Sequence, residues 1–176
     1  MNITGAIFDF DGTLFDYMHV WKGIRYNFIS SLGIELTEDD LAAFNGLFLR
    51  ESLLLAIERF NLSQSYEELL AKLFDYIKGR YLKETEPKND IIPFLEKLKA
   101  NGVKMGIATA TGEPALIAVL EKYNMMHYFS AIYSTYTVGA SKTEPKVYDV
   151  VLEELGTDKA TTWVFEDALY AATTAK

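Results

Sequence analysis

The stretch Thr4-Gly5-Ala6-Ile7-Phe8-Asp9-Phe10-Asp11-Gly12-Thr13 passes from an unbroken apolar run into two acids and a glycine. Ala6, Ile7 and Phe8 leave no polar alternation, so residues 4–8 read as a short strand buried on both faces. Asp9 ends that strand and Gly12 marks a turn. Three later apolar runs repeat the theme. Residues 103–108 follow the helix-stopping pair Asn101-Gly102 and lead into Thr109. Residues 131–133 follow Tyr128-Phe129, and Thr162-Trp163-Val164-Phe165 runs directly into Glu166-Asp167.

Helical stripes fill the gaps between these runs. Ile91, Ile92, Leu95 and Leu98 precede the second strand, and Leu116, Ile117, Leu120 and Tyr123 precede the third. Val147, Val150, Val151 and Leu155 precede the fourth and are closed by Gly156. Strands alternating with helices through short connections imply an α/β protein with a parallel sheet covered on both faces.

Residues 17–83 break this rhythm. They contain several helical patterns and no convincing strand. Thr37-x-x-Asp40 precedes Leu41 and Phe44, and Ser65-x-x-Glu68 precedes Leu69, Leu70, Leu73, Phe74 and Ile77; both have the form of a capping box. The expectation is an all-helical insertion after the first strand, with its second boundary near Pro87. Trp21, Tyr26 and Phe28 are read as core of that insertion. His19 and His127 lack ligand-like partners in sequence and are read as structural or surface residues.

Bulk properties narrow the classes of function. The 176 residues carry a formal net charge of −8, which argues against nucleic-acid binding through clustered cations. There is no cysteine, hence no disulfide framework and no thiolate chemistry. The first residues lack a basic leader pattern, and no apolar run has the length of a membrane span. A soluble cytoplasmic protein, monomeric or weakly dimeric, is the expectation.

In an open parallel sheet, ligands bind beyond the carboxyl ends of the strands. The runs end in Asp9 and Asp11, in Thr109, and in Glu166 and Asp167, so three separated segments converge on one rim. Several acids at close range need a cation, and an all-oxygen set without His or Cys favours Mg²⁺, which also takes phosphate oxygens as ligands. Singly, each residue has a plainer reading. Asp11-Gly12 is a common turn pair, and Thr109 is an ordinary strand-end threonine. Lys142 has Lys146 as a neighbour and competitor.

Together the segments resemble the haloacid dehalogenase superfamily in its phosphatase and β-phosphoglucomutase-like branch. Asp9-Phe10-Asp11-Gly12-Thr13-Leu14 is similar to that family's first motif, and Ile107-Ala108-Thr109 to its second. Ser141-Lys142-Thr143-Glu144-Pro145 resembles the third, and Val164-Phe165-Glu166-Asp167 the fourth. Four motifs in order are far more specific than one. The resemblance implies a Rossmann-like core formed by residues 1–16 and 85–176, with a helical cap at 17–84. It implies Asp9 as nucleophile and Asp11 as general acid and base. Phosphate oxygens would be bound by Thr109, the Ala110 amide and Lys142. Mg²⁺ would be held by Asp9, the Asp11 main-chain carbonyl and Asp167, with Glu166 as a direct or water-mediated helper.

The implied activity is Mg²⁺-dependent hydrolysis of a small phosphorylated metabolite through an aspartyl-phosphate. A sugar phosphomutase is the alternative within the family; its support is the segment Asn45-Gly46-Leu47-Phe48-Leu49-Arg50-Glu51-Ser52-Leu53, similar to that enzyme's sugar-binding stretch with Arg50 one position out of register. A partner-binding protein that keeps the fold without activity is the alternative of another class. The sequence also departs from the family pattern. Thr143 replaces a proline after the lysine, Lys146 an aspartate, and Ala168 and Ala171 a small residue and a glycine. The family pattern continues beyond Ala172–Ala175 into another strand. Its absence is expected to leave the strand before Asp167 at an edge, in a shortened form of reduced stability or activity.

Overall fold

The computed structural model describes residues 3–17, 21, 23–47 and 49–176. His19 and Phe48, named above, lie outside the described residues. The chain divides into two compact units, Met1–Met18 with Tyr81–Lys176, and His19–Arg80.

The first unit is built on four parallel strands: β1 (Gly5–Phe8), β4 (Lys104–Thr109), β5 (Ala131–Ser134) and β6 (Thr162–Phe165). Their order is β5-β4-β1-β6, with Phe8 opposite both Ile107 and Phe165. β1 is therefore flanked on both sides, and all four of its residues are buried, as its unbroken apolar character requires. Successive side chains point to opposite faces. Ile7 packs with Val147, Tyr148, Val151 and Leu155 of helix α8 (Lys146–Leu155). Phe8 stacks on Phe165 at 4.7 Å and meets Phe94 of helix α5 (Ile91–Ala100) edge-on at 6.3 Å. The remaining helices of this unit are α6 (Glu113–Lys122), the short α7 (Thr135–Val138) and α9 (Leu169–Thr174).

All four expected strands match in type and position, and β6 is the least buried of them, in line with the edge position expected for it. It carries the edge of the described sheet, and Trp163 on it is 44% exposed. Two short strands escaped the sequence reading. β2 (Phe15–Asp16) and β3 (Glu86–Pro87) form an antiparallel pair of two residues each, too short for alternation to register.

The second unit is helical: α1 (Ile24–Ser31), α2 (Glu38–Phe44), α3 (Leu49–Arg59) and α4 (Tyr66–Glu84) as far as Arg80. Both capping boxes form. The Thr37 amide donates to Asp40 at 2.8 Å while the Asp40 amide donates to the Thr37 hydroxyl at 3.2 Å. The Ser65 and Glu68 pair repeats this at 2.9 and 3.2 Å. Arg59 donates to Asp40 from the end of α3. Phe28 is buried, but Trp21 and Tyr26 are half-buried, so the expected aromatic core is carried by Phe28 against Tyr76 and by Phe44 against Phe60. Among the described residues, no helix is long and apolar enough to cross a membrane.

Gly106 lets α8 approach the sheet. A Cβ there would fall 2.6 Å from Val151 Cγ1 and 3.1 Å from the Ala131 carbonyl oxygen. Gly106→Ala is expected to lower the unfolding free energy by about 1–3 kcal/mol in urea denaturation. A variant as stable as the parent would show that this helix has room to move.

Candidate active site

The parallel strands deliver their carboxyl ends to one rim. Asp9 follows β1, and its amide donates to the Phe165 carbonyl at 2.9 Å, extending the β1–β6 ladder by one step. Asp9 is thus held beside Glu166, the residue that follows β6. Thr109 ends β4 and is buried, with Ala110 exposed just beyond it. The loop before α8 brings in Lys142, which is 5% exposed.

Lys142 Nζ donates to Asp9 Oδ1 at 2.5 Å and to Glu166 Oε2 at 2.6 Å. Lys146, its competitor in the sequence, is exposed on the first turn of α8. Glu166 also accepts from the Tyr148 hydroxyl at 3.1 Å, and its other oxygen accepts from the Ala168 amide at 3.3 Å. Burial, then the nearby Glu166 charge, pushes the Tyr148 hydroxyl up, so it stays a protonated donor. Burial likewise pushes the Asp9 carboxyl up to about 7, against the downward pull of Lys142.

Asp9, Glu166 and exposed Asp167 each present a carboxylate oxygen, all within 4.8 Å of one another. With all three carboxylates ionised, the Lys142 ammonium leaves two negative charges uncompensated among them. An all-oxygen site with that deficit fits a divalent cation such as Mg²⁺. Gly12 makes the cluster possible. It has φ +83°, and a Cβ there would lie 2.2 Å from Asp167 Oδ2, so only glycine lets this carboxylate lie against the loop.

The Asp11 carboxylate has different partners. Its Oδ2 accepts from the Tyr81 hydroxyl at 2.6 Å and from the Thr111 hydroxyl. The Asp11–Phe15 segment is closed by a bond from the Gly12 amide to the Phe15 carbonyl at 2.8 Å. Thr109 Oγ1 accepts from the Thr111 amide at 3.0 Å, which fixes the bend after β4. Sequence reasoning missed Tyr81, Thr111 and Tyr148. Thr111 could have been found from the hydroxyl spacing Thr109-Ala110-Thr111 at a strand end. Tyr81 and Tyr148 sit on helices whose periodicity marks them only as core.

The phosphorylated carbohydrates phosphatase of Thermotoga maritima is 26% identical over 171 residues, which cover 97% of this chain and 79% of that protein. Hexitol phosphatase B of Escherichia coli is 26% identical over 174 residues, 95% of this chain and 76% of the relative. Among solved structures, CbbY of Rhodobacter sphaeroides in complex with phosphate superposes with a TM-score of 0.76. It is 19% identical, covers 98% of this chain and 83% of its own, and shows the shared fold. Residues 6–176 match the sequence model of haloacid dehalogenase-like hydrolases, and with the Asp9, Lys142, Glu166 and Asp167 rim in place the chain belongs to that family.

Proposed function

We propose that this protein is a Mg²⁺-dependent phosphatase that hydrolyses a small phosphorylated metabolite, of the sugar or sugar-alcohol phosphate class named for its relatives. The observation that carries this reading is the Lys142 ammonium lodged between Asp9 and Glu166 at the carboxyl end of the central strand. A lysine buried there would hold a nucleophilic carboxylate and a phosphoryl group together.

A carboxylate oxygen of Asp9 attacks phosphorus, and the ester P–O bond breaks. Asp11, as the acid, gives its proton to the departing oxygen. The Asp11 carboxylate then takes a proton from water, whose oxygen attacks the aspartyl-phosphate. Inorganic phosphate leaves and Asp9 is regenerated. The Thr109 hydroxyl and the Ala110 amide bind phosphoryl oxygens, and Lys142 offsets the charge that develops on them. Asp9, Asp167 and the Asp11 main-chain carbonyl would hold the cation, with Glu166 as helper, and the cation would supply positive charge against the phosphate. Residues 17–84 act as the cap that selects the substrate and 1–16 with 85–176 as the core. The helical composition of the second unit supports this division.

Magnesium-dependent release of p-nitrophenol from p-nitrophenyl phosphate is the direct test. Turnover is expected to vanish with chelator and in Asp9→Asn. Asp11→Asn should lose about 10²–10⁴-fold in kcat. Lys142→Met should lose about 10²–10³-fold. Metal-independent turnover, or turnover surviving Asp9→Asn, would falsify the mechanism. Efficient interconversion of hexose phosphates with slow hydrolysis would identify a mutase instead.

Asp9 also links folding to pH. Its carboxyl titrates near the ordinary 3.8 when unfolded and at about 7 when folded without metal. Between those values only the folded state holds the proton, so this group's contribution to stability falls as pH rises through that window. In chelator, the Tm advantage of Asp9→Asn over the parent should widen from pH 5 to pH 8. A constant difference across that range would remove Asp9 as the titrating group.

A further inference from the structure

The Asp11 carboxyl is gripped by two hydroxyls that the reaction scheme does not use. Tyr81 Oη donates to Asp11 Oδ2 at 2.6 Å, and Thr111 Oγ1 donates to the same oxygen. The two hydroxyls lie 3.2 Å from each other. Tyr81 is 0% exposed and Thr111 2%, so bulk water does not compete for either group.

Both donors are themselves immobilised. The Tyr81 ring stacks on Tyr17 with centroids 3.6 Å apart and leans on Phe10 at 6.0 Å. Phe10 is the residue immediately before Asp11, so one aromatic packs against the loop and donates to its acid. Thr111 is fixed by its own amide, bonded to Thr109 Oγ1 at 3.0 Å. An aspartate side chain has two rotatable bonds and several staggered arrangements. Two hydroxyl donors on one carboxylate oxygen make strong, directional bonds that select one of them. A proton-transfer group must be held within a fraction of an ångström of its working position.

We propose that Tyr81 and Thr111 are positioning residues for Asp11: their hydroxyls clamp one oxygen of its carboxyl and fix the rotamer on which its proton transfer depends. This rests on the reading of Asp11 as the general acid and base. Both residues act through Asp11, the group their hydroxyls contact. Proton donation matters most when the departing oxygen is a poor leaving group, and least when it leaves readily as an anion. Loss of the clamp therefore changes how rate depends on the leaving group, which general damage to the fold does not.

The experiment compares kcat/KM across aryl phosphates from p-nitrophenyl to phenyl phosphate, for the parent, Tyr81→Phe, Thr111→Val and the double variant. Tyr81→Phe keeps the stacked ring, so Tm should move little. The double variant is expected to lose roughly 10–100-fold on phenyl phosphate and under about 3-fold on p-nitrophenyl phosphate. Thr111→Ser, which keeps the hydroxyl, should recover most of what Thr111→Val loses on phenyl phosphate. Equal losses on all esters, or none, would overturn the clamp. If the parent hydrolyses none of them, the phosphatase reading fails on its own account. Crystal structures of the parent and double variant then decide: a displaced Asp11 rotamer supports the clamp, and an unchanged one overturns it.

Discussion

The ammonium of Lys142 between Asp9 and Glu166 is the interaction on which the rim depends. Three carboxylates within 4.8 Å of one another repel, and burial of Asp9 adds a desolvation cost. Lys142 offsets part of that repulsion and is itself nearly buried, so it would be as costly alone as the acids are. Buried Asp9 and buried Lys142 each make the other's charge tolerable. Tyr148 and the Ala168 amide add two further donors to Glu166, one on each of its oxygens.

The sheet makes that arrangement rigid. Asp9 and Glu166 come from strands far apart in sequence, but parallel pairing of β1 with β6 sets Phe8 opposite Phe165. The residue after each then stands at the same height. Flanking by β4 and β6 leaves β1 no freedom to slip, because a shift of one residue would exchange Ile7 and Phe8 between two differently packed faces. Site precision is thus a consequence of strand register. Gly12 adds the last condition by leaving space for Asp167.

The two acids of the opening motif, two residues apart, have different surroundings. Asp9 is buried against a lysine and among other acids, whereas Asp11 rests on two hydroxyls. Nothing in the sequence Asp9-Phe10-Asp11 distinguishes them in this way. The difference comes from Tyr81, seventy residues on, and from Thr111, one hundred residues on. A division of labour between nucleophile and proton carrier is chemically consistent with such unlike environments.

The parallel core was legible because each strand is short, apolar and followed by polar residues, and because helical stripes with clear caps separate them. The convergence of Asp9, Thr109, Glu166 and Asp167 followed from the same pattern, since parallel strands must end on one side. Lys142 could be singled out only through its resemblance to a family motif, as a loop lysine has no periodicity to betray it. The sequence by itself determined which residues end the strands and so which acids gather at one rim. Only the tertiary structure decided that Lys142 rather than Lys146 reaches them, that Glu166 anchors it, and that Tyr81 and Thr111 hold Asp11. Those contacts join residues distant along the chain, and their geometry depends on register and packing that local patterns do not encode.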